Sequence, residues 1–361
     1  VTVLTHEQIH AGAQLRREQI KGMRIARPLP RLWTNKPDGS PGLILMGAAK
    51  DSINGEFPFK RNQFGTTGTL RLRLDHHLAR WLINIPDDPE AKKNVVITVD
   101  HYNGAVRWSG IMKYFKAVKK DGLWYLDIVF VDDLQYLQFM LGAPNPLLPI
   151  PIFQFPRVLP IFGPAKWAIS MMILLNLIRL EGNLWTLPDD PFAGSYGGLF
   201  DWGSWQVLIK ANPIDFDDSS MWTLIATRMN RMDQVIANAL DDAQLTMRYR
   251  RILTVDGETS DVPGVPTVAN GTLVLEVVDT SGYFSPDGTA TGGGIAGGFA
   301  RTVQSFASGF VENVQTFTGD PQTWPPSYFD ADYLGPGDPT RTWIVIRDSK
   351  YSSVETSEWT W

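Results

Sequence analysis

The sequence predicts an α+β fold: two small antiparallel β-barrel or sandwich domains with inserted helices. Three observations point there. Apolar runs separated by Asn103-Gly104 and Asp121-Gly122 read as a hairpin-connected meander, because those dipeptides supply the positive φ that tight turns demand. A second set of strands follows a helical pattern in the other half. No regular β-α-β alternation appears, which argues against a doubly wound sheet.

Residues 1–40 read as an N-terminal helix and extended arm, with Thr5 as N-cap, the helix running to Ile25, and Pro28 and Pro30 ending it. Residues 41–140 form the first β domain. Its strands are Gly42 to Met46, Gly68 to Leu74, Val95 to His101, Val106 to Val118 and Leu123 to Val131. In the second of these, Leu70, Leu72 and Leu74 alternate with Arg71 and Arg73, a period of two with one face buried. Asp132 and Asp133 are then expected to cap a short helix ending at Met140.

Residues 141–211 read as a Pro-rich apolar and helical insertion. Prolines at 144, 146, 149, 151, 156 and 160 exclude a regular helix or a central strand. The interleaved Leu, Ile and Phe nevertheless need a covering surface. The uncharged run between Lys166 and Arg179 falls short of the ~20 residues that span a bilayer, so it reads as a buried or interfacial helix. Residues 212–361 form the second unit. A long helix is expected from Asp217 to Ala243, because Ile225, Met229, Met232, Ile236, Leu240 and Ala243 recur at three- and four-residue intervals. Strands follow at Leu245 to Leu253, Thr272 to Asp279 and Thr342 to Arg347. Between the last two, residues 281–340 hold a Gly-rich loop and a Phe-rich helix.

Composition excludes several function classes. The net charge of -5 leaves no basic excess to neutralise phosphates, so no sequence-specific nucleic-acid binding is expected. Without cysteine there are no disulfides, thiolate nucleophiles or Cys-based metal sites. Val1 to Arg17 shows no apolar signal core.

Motifs that suggest chemistry are outweighed by plainer readings. His6-Glu7-Gln8-Ile9-His10 satisfies H-E-x-x-H, which on a helix would give zinc two ligands, His6 and His10, and a base, Glu7. It sits at the chain start with no sheet edge before it, and a solvated helix terminus explains it as well. Gly292 to Gly297 matches G-x-G-x-x-G but lacks the strand and parallel unit that a dinucleotide site needs. The acidic pairs 132/133, 189/190, 217/218 and 241/242 read as caps or solvated faces and not as glycosidase carboxylates. Asp215, Asp217 and Asp218, or Asp330 and Asp332, lack EF-hand spacing for calcium. No catalytic residue, cofactor or metal is expected. A zinc protease stays open as an alternative. So does a carbohydrate-binding or hydrolysing module, with Trp185, Trp202 and Trp205 as groove candidates.

Two apolar stretches stand out. One carries Leu147, Ile150, Phe153, Phe155, Phe162 and Trp167; the other carries Ile295, Phe299, Phe306, Phe310 and Phe317 at helical spacing. Both are candidates for burial against neighbouring subunits, with a lipid interface as the competing reading.

The strings Val95-Val-Ile-Thr-Val-Asp-His-Tyr-Asn-Gly, Arg107-Trp-Ser-Gly-Ile and Leu123-Trp-Tyr-Leu-Asp-Ile-Val-Phe-Val-Asp-Asp-Leu carry a resemblance. They resemble the first barrel of phage tail-hub proteins, in which a W-S-G strand follows a tight turn and a D-D-L helix start closes the unit. The Pro-rich insertion, Trp222-Thr-Leu-Ile-Ala-Thr-Arg-Met and the Gly-rich loop before Phe299 are similar to minor tail proteins of siphoviruses infecting actinobacteria. The resemblance implies a homotrimeric hub at the virion tail tip, related to the phage baseplate central hub. Implied partners are the distal tail protein, the tape measure protein and other minor tail proteins, with host envelope contact during attachment and DNA ejection. It also implies longer family members, so a C-terminal portion, with any lysin activity, is expected beyond Trp361.

Overall fold

The computed structural model describes residues 28–84, 94–101, 104–145, 155–182, 201–280 and 294–299, together with Gln14, Leu15, Arg17 and Thr302. Most of the expected N-terminal helix, and the strand expected at 342–347, lie outside these residues. In what is described, the fold is mixed α+β with mostly antiparallel sheets.

The first unit is built on one seven-stranded sheet. Its strands are β1 (Leu29–Asn35), β2 (Leu43–Ala48), β3 (Asn54–Glu56), β4 (Thr67–Arg73), β5 (Val96–His101), β6 (Val106–Lys120) and β7 (Leu123–Asp132). They lie in the order β2-β1-β5-β6-β7-β4-β3, every pairing antiparallel. The meander β5-β6-β7 is the one expected, and its Asp121-Gly122 turn has both φ angles positive, 53° and 77°. The order ends in β2 on one side and β3 on the other, so the described strands form an open sheet and not a closed barrel, one of the two forms expected beside a sandwich. The physical reason is that β2 and β3 each pair on one edge only. Helix α1 (His77–Asn84) follows β4 and packs Leu78, Ala79 and Leu82 onto the sheet. Leu70, Leu72, Leu126, Ile128, Phe130 and Trp108 complete that core.

The W-S-G and D-D-L strings sit beside each other at its centre. Trp108 is fully buried against Phe57 and donates its indole N–H to Pro58 O at 3.2 Å. Gly110 stands opposite Asp132, and a Cβ there would collide with the Val131 carbonyl oxygen. Ser109 donates its hydroxyl to Asp133. The two Asp residues do not cap: Asp132, the residue before the 3-10 turn Asp133–Gln135, makes no side-chain cap bond. Both are buried, and α2 (Tyr136–Phe139) follows.

The second core gathers around α3 (Ala165–Glu181). Strand β8 (Leu159–Pro164) precedes it, and β9 (Val207–Ile209) and β10 (Trp222–Thr227) follow. Then come α4 (Met232–Asp242), β11 (Leu245–Arg251) and β12 (Leu273–Asp279). Strands β11, β12 and β9 make a three-stranded sheet in which β9 runs parallel to β12, while β8 and β10 make a separate antiparallel pair. Ala168, Ile169, Met172, Ile173 and Leu177 of α3 are buried among them, so the uncharged run is an interior helix. No helix among the described residues is long and apolar enough to cross a membrane.

The single helix expected over 217–243 is instead strand β10 followed by α4. Trp222-Thr-Leu-Ile-Ala-Thr is aromatic and β-branched, a composition that suits a strand once a partner edge is at hand. That edge is β8, whose Pro160 and Pro164 are tolerated because each strand of the pair leaves one side unbonded. Met229 then turns the chain with φ of 62°, and Arg231 is extended before α4. Ile225 and Met232 reach the same core from a strand and a helix, which is why they mimic one helical stripe.

Candidate functional site

In the β8–β10 pair, Ile161 and Ile225 point into the core, and period-two alternation turns Phe162 and Leu224 outward, directly opposite each other. Phe162 is 61% exposed and Leu224 64%. Trp222 extends this face: its ring meets Phe162 edge-on at 5.1 Å on one side and Phe299 at 5.3 Å on the other. Phe299 itself is 49% exposed.

A short helical segment, residues 294–299, seats Phe299 there. Trp222 donates its indole N–H to Ile295 O at 3.2 Å, and its backbone N–H to Thr302 Oγ1 at 2.7 Å. Thr302 in turn donates to Gly298 O, and Ile295 N–H reaches Phe216 O at 3.2 Å. Gly298 is needed where it stands, since a Cβ would strike the Ser220 carbonyl oxygen. Phe216, 71% exposed, and the exposed Ile214 lie in the adjoining loop. Two apolar stretches more than 130 residues apart in sequence, at Phe162 and Phe299, thus meet through Trp222 in one aromatic surface.

The remaining candidates fall elsewhere. Phe155 is highly exposed on the approach to β8. Trp167 is half-buried against the second core and donates its indole N–H to Pro213 O at 3.0 Å. Leu147, Ile150, Phe153, Phe306, Phe310 and Phe317 lie outside the described residues, as do His6, His10, Asp189, Asp190 and Trp185. Trp205 is core and Trp202 packs on it with ring centroids 4.4 Å apart. Among the described residues no three His, Asp or Glu side chains are grouped to hold a metal. Asp218, weighed for calcium, has its carboxylate occupied by the N–H groups of Trp167 and Ser220, at 3.0 and 2.9 Å.

Charged residues concentrate instead at a joint between the two units. Asp133 and Arg251 form a bidentate pair, with both N···O distances 2.7 Å and side chains 1% and 10% exposed. Arg107 bridges Asp100 at 2.6 Å and Glu258 at 2.8 Å, and Arg31 reaches Asp100 and Asp256. Burial pulls the Arg107 guanidinium down, but hydrogen bonds from it to Glu258 and Asp100 outweigh that and hold it above its usual range. Burial pushes the Asp132 carboxyl up to about 6, against the Gly65 and Thr66 N–H groups that favour its charged form. Opposed charges of this kind join the two sheets across their contact. Sequence reasoning missed this joint because Asp133 and Arg251 are 118 residues apart.

A family model described as "Siphovirus ReqiPepy6 Gp37-like protein" matches residues 30–361. Minor tail protein Gp28 of Mycobacterium phage D29 is 34% identical over 328 residues, covering 85% of this chain and 52% of that protein. Minor tail protein Gp28 of Mycobacterium phage L5 is 33% identical over 325 residues, with the same shares. The chain therefore spans about half the length of these curated relatives. A solved Francisella PdpA-VgrG complex matches at 12% identity and a TM-score of 0.29, over 75% of this chain and 35% of that one.

Proposed function

The chain belongs to the siphovirus ReqiPepy6 Gp37-like family, and from that premise we propose that this minor tail protein is a hub subunit at the tail tip. In this reading it is a structural component of the virion and assembles as a homotrimer. It closes the tail tube, meets the distal tail and tape measure proteins, anchors other minor tail proteins, and takes part in attachment and DNA ejection.

One observation carries the proposal: the apolar face of Phe162, Leu224 and Phe299, whose two rings pack on Trp222, left uncovered by the described chain. A face of this kind on a structural subunit marks a contact with a neighbour. Covering each of the three side chains is worth roughly 1–2 kcal/mol, given how much of each is exposed. Contact of this face with the host envelope is the competing occupancy, and liposomes separate the two.

The test is sedimentation of the chain with and without Phe162→Ser and Leu224→Ser. A trimer that falls to monomer in the double variant, with unchanged circular dichroism, supports the proposal. A wild-type monomer at tens of micromolar overturns the trimer, and co-flotation with vesicles that the same variant abolishes moves the face to the membrane.

A further inference from the structure

Strand β6 is much longer than the strand beside it. It pairs with β5 only from Val106 to Ile111, while β7 accompanies it from Gly110 to Lys120. Strand β7 is itself covered on its far side by β4, from Tyr125 to Val131. Among the described residues, then, residues 113–120 of β6 present a backbone edge that no strand occupies. At ~3.3 Å per residue that edge is roughly 26 Å long.

Its side chains carry charge of one sign. Lys113, Lys116, Lys119 and Lys120 lie along it, all exposed. Among the described residues, Asp127 opposite Lys116 is shared with Arg71, which holds it bidentately at 2.6 and 2.9 Å, and Asp121 lies at the turn, so the lysines outnumber the acids along this edge. The chain as a whole carries -5, so this arm stands out against its own protein. Exposed Tyr114, Leu123 and Trp124 accompany the lysines, with Lys119 over the Trp124 ring at 5.7 Å.

Lysines on an edge ordinarily keep strands apart. They do so selectively. A second copy of this edge, or any neutral strand, meets unneutralised charge, whereas a strand carrying Glu or Asp gains both the backbone ladder and cross-strand ion pairs. We infer that the free edge of β6, residues 113–120, is a docking strand for an acidic, extended segment of a partner protein. That the partner is another tail protein rests on the function proposed above; the edge and its charge do not.

The experiment uses the full chain and a labelled Thr-Glu-Val-Glu-Val-Glu-Val-Thr peptide, read by fluorescence anisotropy and amide hydrogen exchange. Binding, with slowed exchange confined to 113–120, is the expected result. Changing Lys113, Lys116, Lys119 and Lys120 to Glu should weaken binding by about tenfold or more. It should also create affinity for the Lys-substituted peptide, with unchanged circular dichroism showing that the variant is folded. Equal binding of a proline-interrupted peptide of the same charge, or of single-stranded DNA, without slowed exchange would reduce the edge to a cationic face and overturn the inference. Failure of the strand peptide to bind overturns it outright. Because the probe is a free peptide, a monomeric chain that sinks the hub reading leaves this readout intact.

Discussion

Replacing Asp133 by Asn keeps the side chain's shape while removing its charge. Arg251 would then stay buried facing an amide whose Nδ2 meets one of its own donors, so one of the two 2.7 Å bonds is lost along with the carboxylate. Breaking a buried ion pair by removing one partner costs about 3–5 kcal/mol, since the survivor is left uncompensated. Arg251→Met makes the reverse cut, stranding Asp133 and also the Gly271 carbonyl that Arg251 Nη1 reaches at 2.8 Å. The double variant Asp133→Leu/Arg251→Met removes both charges at once. What it leaves unsatisfied is the Ser109 hydroxyl and the Gly271 carbonyl, about 1–3 kcal/mol each. Its cost should therefore fall below the sum of the two single variants by at least about 2 kcal/mol. Urea unfolding followed by the fluorescence of buried Trp33, Trp108 and Trp205 gives all three values. Either single variant costing under about 1 kcal/mol, or strict additivity in the double, would refute the claim that this pair holds the two units together.

Further outcomes follow from the same structure. Gly110→Ala drives a Cβ into the Val131 carbonyl, so β6 and β7 must separate locally; a loss of about 2–4 kcal/mol is expected, and a midpoint within error of wild type would show that the close approach is absent. Asp132, with its carboxyl raised to about 6 by burial, keeps its proton in the folded state between about pH 4 and 6 while the unfolded chain releases it. Its contribution to stability is thus present below about pH 4, is lost as pH rises to 6, and stays lost above. Asp132→Asn should match wild type near pH 4 and exceed it at pH 7.5, by at most roughly 3 kcal/mol; an equal difference at both pH values would contradict the assignment. Asp218→Ala removes the acceptor for the Trp167 N–H in the first turn of α3 and should cost about 1–2 kcal/mol in thermal or urea unfolding. Restoration by Asn but not by Leu would show that the acceptor, and not side-chain volume, is what matters.

Local signals made part of this protein readable. Two-residue turns such as Asp121-Gly122, and alternation such as Leu70, Leu72 and Leu74 against Arg71 and Arg73, act over a few residues, so the meander β5-β6-β7 and strand β4 follow from their own segments. The W-S-G and D-D-L strings were legible as a pattern, but their reason was not. Only the register that sets Gly110 opposite Asp132 and Ser109 beside Asp133 explains why those residue types stand there.

The amino-acid sequence by itself determined the α+β character, the hairpin-linked strands and an excess of apolar side chains in two stretches, because each depends on spacing within a single segment. Tertiary structure decided the rest. Trp222 to Thr227 is a strand because β8, some sixty residues earlier, offers it an edge, and its helical spacing alone cannot reveal that offer. The sheet stays open because β2 and β3 do not pair with each other among the described residues. Phe162, Trp222 and Phe299 form one surface, and Asp133 finds Arg251, only after the chain has folded back on itself. Contacts between distant segments depend on geometry that no local pattern encodes.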